Sequence, residues 1–180
     1  MKTFNVPTKE EVNETHQGIF NDLNNKLGFV PNIFATMALS DTALQNYMNF
    51  SGAKTSLSAK EKEVVNLAVS QVNNCKYCLS AHTAIGKMNG FTEDQILELR
   101  GGKASFDTKL EALAKLAKNV TENRGNTDPT ILENFFEAGY TKGNLVDTIA
   151  LVGDKTIANY LHSTTNVPID FPEAKALEVA

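Results

Sequence analysis

The chain has 180 residues, 42% of them hydrophobic, and carries a formal net charge of −4 with a pI near 5.4. A chain of this length can bury one sizeable core, so we expect a single domain over residues 1–180. The 17 basic residues are scattered, which argues against nucleic acid as a partner. Because we find no signal-peptide pattern and no apolar run near the roughly 20 residues of a membrane span, we expect a cytoplasmic protein with no membrane partner.

Helix-capping signals recur along the chain, and no strand-like alternation interrupts them. The first signal, Thr8–Glu11, is a capping box that predicts a helix running to Lys26 or Leu27, where Gly28 would end it. The later signals, in chain order, are Pro31, Asp41, Ser58–Glu61, Asn73-Asn74, Thr92–Gln95, Asp107, Asp128-Pro129 and Thr141. Together they predict seven or eight helices joined by short loops, which is an all-α bundle.

The final helix, which Thr141 opens, carries an apolar stripe that we expect to face the core. Its members are Leu145, Ile149, Val152, Ile157 and Leu161. From Asn166 onward, the prolines at positions 168 and 172 predict an extended, irregular tail.

The only two cysteines, Cys75 and Cys78, lie three residues apart, and His82 follows four residues later. On a helix these three positions share one face. The preceding Asn73-Asn74 pair predicts a helix break, which places both thiols in a first turn, where free N–H groups and the helix dipole favour thiolate. Glu63 lies on the preceding helix, and if that helix folds back, its carboxylate can orient the His82 imidazole.

Three simpler interpretations compete with redox chemistry at this pair. Free cysteines are often ordinary buried core residues. A structural zinc site normally has four ligands, whereas one CxxC pair and one close histidine supply three. A structural disulfide would close a loop with only two intervening residues, which removes little entropy from the unfolded chain. In a reducing compartment a CxxC pair is more often catalytic than structural, so we favour thiol–disulfide chemistry.

The segment 57–90 resembles the carboxymuconolactone decarboxylase superfamily, and more narrowly its alkyl hydroperoxidase D-like branch with the peroxidase-related members. The Glu-x11-Cys-x2-Cys-x3-His pattern of that family is met by Glu63, Cys75, Cys78 and His82. The resemblance implies an all-helical fold, homo-oligomers, and reduction of organic hydroperoxides through a reversible disulfide, with no metal, haem or flavin as cofactor. The reductant would be a dithiol, for example a dihydrolipoyl protein.

Carried over by position, the resemblance makes Cys75 and Cys78 the redox pair, and Glu63 and His82 a proton relay. The best-studied pattern has a second histidine just before the second cysteine. This chain has Tyr77 there, and a phenol with a pKa near 10 is no base at neutral pH. Two assignments of the attacking thiol stay open. His82, one turn away, favours Cys78 with Cys75 as the resolving thiol, whereas the helix start favours Cys75.

Alternative functions also stay open. A decarboxylase-like lyase or isomerase would need no dithiol, and a non-enzymatic redox-sensing oligomer would use the disulfide to alter its assembly. The remaining histidines, His16 and His162, are expected at the surface or at an interface. Apolar residues between Phe29 and Phe50, together with the resemblance, predict an apolar homo-oligomer interface on the order of 2,000 Å² that shelters the cysteines.

Overall fold

A computed structural model describes residues 4–177 of the chain. These residues form nine α-helices and one 3-10 turn, without a strand, so the all-α class is confirmed, with slightly more helices than predicted. The helices are α1 (Glu14–Leu27), α2 (Asn32–Met37), α3 (Ala43–Ser51), α4 (Ala59–Val72), α5 (Lys76–Met88), α6 (Glu93–Arg100), α7 (Thr108–Glu122), α8 (Pro129–Glu137) and α9 (Lys142–Thr165). Within residues 4–177, no helix has both the length and the apolarity needed to cross a membrane.

The first α-helix begins later than the capping box predicts. The Thr8–Glu11 box forms, but it closes only one 3-10 turn. Val12 then takes an extended conformation and is buried, and Asn13 starts α1 by accepting a hydrogen bond from the His16 N–H at 3.0 Å. The predicted end is confirmed, because Gly28 closes α1 at a φ of 83°, a left-handed conformation that suits glycine.

Helix α4 lies at the centre of the fold and packs against α5, α6, α7 and α9. Its residues Val64, Leu67 and Ala68 are fully buried, and so are Val65 and Val69 on the neighbouring face. Two apolar clusters result. The first cluster joins α4 to α6, α7, α8 and part of α9. The second cluster, which contains both cysteines, includes Phe20, Ile33, Met37, Leu44, Tyr47, Cys75, Tyr77, Cys78 and Ala158.

Helix α9 has two unlike faces. The prediction for its apolar stripe is right for Val152, which is buried, and wrong for Ile149 and Ile157, which are 44% and 51% exposed. The buried face is largely polar, since Thr148, Asp154, Lys155 and Asn159 lie on it. The exposed face carries four large apolar residues, Val146, Ile149, Ile157 and Tyr160. The physical reason is that the inner face packs against α4 and α5, where polar groups find partners.

The segment between Phe29 and Phe50 mainly fills the core of its own chain. Ile33, Met37, Leu44 and Tyr47 are buried in the second cluster. Of the large apolar residues in this segment, Leu39 and Phe50 remain exposed. This segment is therefore a poorer candidate for an interface between chains than the outer face of α9.

Candidate dithiol site

Both cysteines lie at the beginning of α5, as the sequence predicts. Asn74, at a φ of 51°, makes the sharp turn out of α4, and Cys75 is the N-cap of α5. The Sγ atom of Cys75 accepts a hydrogen bond from the Cys78 backbone N–H at 3.3 Å and lies 2.7 Å from the Sγ atom of Cys78. Both thiols are free, and they are 0% and 4% exposed. The pair is therefore poised to form a disulfide inside the protein.

The predicted Glu63–His82 pair also forms. The His82 Nδ1 atom lies 2.8 Å from the Glu63 carboxylate, whose other oxygen accepts from the Asn66 side chain at 3.0 Å. Burial would raise the pKa of Glu63, but the charge and hydrogen bond of His82, together with Asn66, lower it below its usual range. Glu63 is therefore an ionised, buried carboxylate that fixes the orientation of the imidazole.

The described residues contain no hydrogen bond between His82 and either sulfur atom. The polar groups that act on Cys78 come instead from α9: the Asn159 amide and the Lys155 ammonium both favour its thiolate. Asn159 is held in place because it accepts from the Asn73 side chain at 2.9 Å and donates to the Ser70 hydroxyl at 3.2 Å. The predicted four residues thus form two separate pairs rather than one chain of contacts.

The two thiols have opposite electrostatic environments. The hydrogen bond between the two thiols outweighs burial and, together with His162, lowers the pKa of Cys75 to about 5. The same thiol–thiol bond, together with burial and the negative charge on Cys75, raises the pKa of Cys78. Cys75 is therefore the thiolate at neutral pH and Cys78 the protonated partner.

The prediction that His16 lies at a surface or an interface is wrong, whereas for His162 the same prediction stays open because its side chain is partly exposed. His162 is half-buried beside Cys75, and its ring centroid lies 5.4 Å from that of Tyr77. His16 is fully buried, and neither ring nitrogen has a hydrogen-bond partner among the described residues. The sequence signal that marks His162 is its spacing, because residues 155, 159 and 162 are polar and share one face of α9.

Tyr77 joins the cysteine turn to distant parts of the chain. Its buried hydroxyl accepts a hydrogen bond from the Ile33 N–H at 3.3 Å, at the start of α2. Burial and the neighbouring Asp170 carboxylate raise the pKa of Tyr77, so it stays a neutral phenol. The Phe171 ring packs edge-on against it at 5.7 Å. Tyr77 therefore stabilises the packing of α2 and the tail against α5 and does not act as an acid or a base.

We expect the Tyr77→Phe substitution to lower the free energy of unfolding by about 1–3 kcal/mol, because the buried Ile33 N–H loses its partner. Chemical denaturation followed by circular dichroism measures the change. Tyr160→Phe is the matched control, since that side chain is 60% exposed, and we expect it to change the stability little. Equal stability of the two variants would contradict the assigned role of the Tyr77 hydroxyl.

A groove of about 390 Å³ opens beside the site, between α2, α3 and α9. Its lining is mostly apolar and consists of Phe4, Thr36, Met37, Leu39, Ser40, Ala43, Tyr47, Ile157 and Leu161. Tyr47 connects the groove to the thiols, since it belongs to the same buried cluster as Cys75 and Cys78. Burial and the adjacent Asp154 raise the pKa of Tyr47, so it too remains neutral. Within residues 4–177, no cluster of three or more His, Cys, Asp or Glu side chains is arranged to hold a metal ion.

Residues 40–119 match the family described as the carboxymuconolactone decarboxylase family. This range contains Glu63, Cys75, Cys78 and His82, whereas His162 and Asn159 lie outside it. No curated protein sequence gives a significant match to the chain.

Solved structures share the fold over nearly the whole chain. A peroxidase-related protein from Silicibacter sp. TM1040 is 22% identical with a TM-score of 0.81, covering 91% of this chain and 89% of its own. A second protein, from Ralstonia eutropha JMP134, is an alkylhydroperoxidase AhpD core. It is 21% identical with a TM-score of 0.84, and the match covers 93% of this chain and 91% of its own. The debrominase Bmp8, in complex with 2,3,4-tribromopyrrole, is 15% identical with a TM-score of 0.77, and the match covers 94% of this chain and 93% of its own. At these identities the similarity establishes the alkylhydroperoxidase-like fold.

Proposed function

We propose that the chain, whose residues 40–119 match the carboxymuconolactone decarboxylase family, reduces organic hydroperoxides with the Cys75–Cys78 dithiol. The observation that carries this proposal is the geometry of the pair: two free, buried thiols lie side by side, and Cys75 is the N-cap of α5. One buried thiol has a pKa lowered to about 5, and the second is held, protonated, at 2.7 Å from it. A nucleophilic thiolate with a resolving thiol beside it is the arrangement that dithiol peroxidases require.

In the first step the Cys75 thiolate attacks the outer oxygen of the hydroperoxide. A sulfur–oxygen bond forms and the oxygen–oxygen bond breaks, which leaves a sulfenic acid on Cys75 and an alkoxide that takes up a proton to become an alcohol. Sulfur is oxidised by two electrons and the peroxide is reduced by two. The His82 imidazole, oriented by Glu63, is our proposed donor of that proton.

In the second step Cys78 attacks the Cys75 sulfenic acid. The disulfide forms, and the Cys78 proton leaves with the hydroxyl group as water. Lys155 and Asn159 support this step because both favour the thiolate form of Cys78. A dithiol reductant, which we propose to be of the dihydrolipoyl type, then exchanges with the disulfide and restores both thiols. Such a cycle suits a reducing compartment, and we therefore propose the cytoplasm.

The groove of α2, α3 and α9 supports an organic rather than an inorganic peroxide as substrate. Its lining is mostly apolar, with Met37, Leu39 and Leu161 among its walls. An apolar groove gains binding free energy from a hydrocarbon chain but almost none from hydrogen peroxide. We expect cumene hydroperoxide to react faster than hydrogen peroxide at equal concentration.

The direct test of this proposal counts free thiols. One equivalent of cumene hydroperoxide should remove two thiols per chain from the reduced protein, and excess dithiol should restore them over many cycles. Single Cys75→Ser and Cys78→Ser variants are the controls, because neither can form the disulfide. If the thiols survive peroxide treatment, the proposal is wrong. A single stoichiometric oxidation without turnover, together with a change in oligomer size, would indicate the redox-sensing alternative.

A second candidate reaction is reductive dehalogenation. The debrominase Bmp8 shares the fold and is solved with a brominated pyrrole. The same dithiol has the two electrons needed: an aryl bromide and two thiols give the debrominated arene, hydrogen bromide and a disulfide. Release of bromide from 2,3,4-tribromopyrrole, measured beside cumene hydroperoxide reduction, distinguishes the two activities.

We also propose that the chain forms a homo-oligomer through the outer face of α9. Val146, Ile149, Ile157 and Tyr160 lie on this face and are between 44% and 67% exposed. An exposed apolar stripe along a 24-residue helix is a surface that proteins usually cover. A second copy of the same face is a suitable partner, because a two-fold contact needs only one self-complementary surface.

The Ile149→Glu substitution should therefore dissociate the assembly, because it would bury a charge at the interface. Light scattering should show a mass well above 19.6 kDa for the parent protein and near 19.6 kDa for the variant. Ser163→Glu, at an exposed position that carries no apolar side chain, is the control and should leave the mass unchanged. A parent mass of 19.6 kDa would show that α9 faces solvent.

A further inference from the structure

The inner face of α9 presents a row of three polar side chains to the two cysteines. Lys155, Asn159 and His162 follow one another at i, i+4 and i+7, so they point the same way from the helix. Lys155 and Asn159 act on Cys78, at the inner end of the pair. His162, one turn further along, acts on Cys75. Each thiol therefore has its own polar partner from a helix far along the chain.

The His162 ring is held in position by packing. It lies against the Tyr77 ring, with a centroid distance of 5.4 Å and an angle of 40° between the planes. Tyr77 is in turn fixed by the Ile33 N–H on one side and by the Phe171 ring on another. An imidazole that is packed this way is held against the turn that carries the two cysteines.

His82 is poorly placed for the same task. Its Nδ1 atom is committed to Glu63 at 2.8 Å, and His82 is not among the principal groups that shift the pKa of either thiol. The other titratable groups around the pair are Tyr77 on α5, Tyr47 on α3, Asp154 and Lys155 on α9, and Asp170 in the tail. Both tyrosines are neutral phenols, and Lys155 acts on the other thiol. His162, packed against Tyr77 two residues after Cys75, is thus the imidazole that acts on Cys75.

We infer that His162 is the catalytic base of Cys75: it takes the thiol proton and, as imidazolium, holds the resulting thiolate as an ion pair until the attack on substrate. The proton moves from the Cys75 sulfur to the imidazole, so no other reactant is needed. This assignment deepens the proposed function and rests on it for the attack step alone. His82 with Glu63 is left free to protonate the leaving oxygen, so each step of the cycle has its own imidazole.

The test is a thiolate titration, which needs no peroxide. Absorbance near 240 nm should report Cys75 ionisation in the reduced protein with a midpoint near 5. Loss of an opposite charge in contact with an ionised group typically shifts its pKa by about 1–3 units. In His162→Phe, which keeps an aromatic ring against Tyr77, the midpoint should therefore move upward by at least about one unit. Ser163→Gln, exposed on the same turn, is the control and should leave the midpoint unchanged.

The rate of peroxide reduction provides a second readout. Because the thiolate of His162→Phe forms at higher pH, its rate should fall more at pH 6 than at pH 8, whereas a purely structural defect would lower both alike. If His162→Phe does not fold, the same titration and rate measurements are made on His162→Gln. An unchanged midpoint in a folded variant overturns the inference while leaving peroxide reduction intact. A shifted midpoint in a protein that reduces no peroxide supports His162 and overturns the proposed function alone.

Discussion

Replacing Cys75 with serine should abolish peroxide reduction, with a loss on the order of 10⁴-fold or more, as is usual when a covalent nucleophile is removed. Cys75 is the N-cap of α5 and has its pKa lowered to about 5, first by the Cys78 thiol and then by His162. A serine hydroxyl at this position is protonated at every accessible pH and cannot attack the peroxide. Turnover with excess dithiol measures the loss. Cys78→Ser should also stop turnover, but only after one oxidation event.

A sulfenic-acid trap separates the two roles. In Cys78→Ser we expect the trap to label Cys75, because the thiolate is still formed and no resolving thiol removes the sulfenic acid. In Cys75→Ser we expect no labelling, since burial still raises the pKa of Cys78 after the Cys75 thiolate is removed. This reverses the assignment that the proximity of His82 in sequence favours. Labelling of Cys78 in Cys75→Ser, with none in the converse variant, would restore that earlier assignment.

The second large effect should come from the relay. Replacing Glu63 with glutamine or His82 with alanine should slow peroxide reduction by roughly 10²–10⁴-fold, the usual contribution of general acid–base catalysis. The carboxylate holds the His82 Nδ1 at 2.8 Å and so directs the other ring nitrogen. Stopped-flow oxidation of the reduced protein measures the rate, and Lys60→Gln, an exposed position on α4, is the control.

These variants also have a titration signature. Because neither sulfur is hydrogen-bonded to His82, we expect the Cys75 midpoint to stay near 5 in both of them. If a variant reduces peroxide slowly while its Cys75 midpoint is unchanged, the defect lies in proton donation to the leaving oxygen. If His82→Ala raises the midpoint as much as His162→Phe does, the two imidazoles share one role and the division between them is wrong.

The local parts of this site could be predicted from the sequence because local signals determine them. The CxxC spacing, the Asn73-Asn74 break and the Ser58 capping box place Cys75 and Cys78 at a helix start and turn Glu63 inward. A capping box or a helical face depends on residues three to seven positions apart. Predicting the Glu63–His82 contact requires one further assumption, that α4 packs against α5. The short connection between the two helices favours this packing, and the structure shows it.

The contributions of α9 could not be predicted by the same means. Apolar periodicity predicts which face of a helix is buried, and on α9 it points to Ile149 and Ile157, which are exposed. The buried face carries Lys155 and Asn159 instead, and Asn159 is tolerated there because it bonds to Ser70 on α4 and to Asn73 at the C-terminal end of α4. Those partners are more than eighty residues away in sequence, with 86 and 89 positions separating Asn159 from Asn73 and Ser70.

Helix α9 and the tail after it, which pack against the dithiol site, are synthesised later than the cysteines themselves. Asp170 accepts from the Asn32 N–H across 138 residues, and Ala174 donates to the Ser80 hydroxyl across 94. During synthesis the CxxC segment leaves the ribosome before His162 does, so a nascent chain lacks the part of the lowered Cys75 pKa that His162 contributes. A thiol with a higher pKa is less ionised at neutral pH and reacts more slowly with oxidants. Cys75 therefore reaches its full reactivity only after α9 has packed against α5.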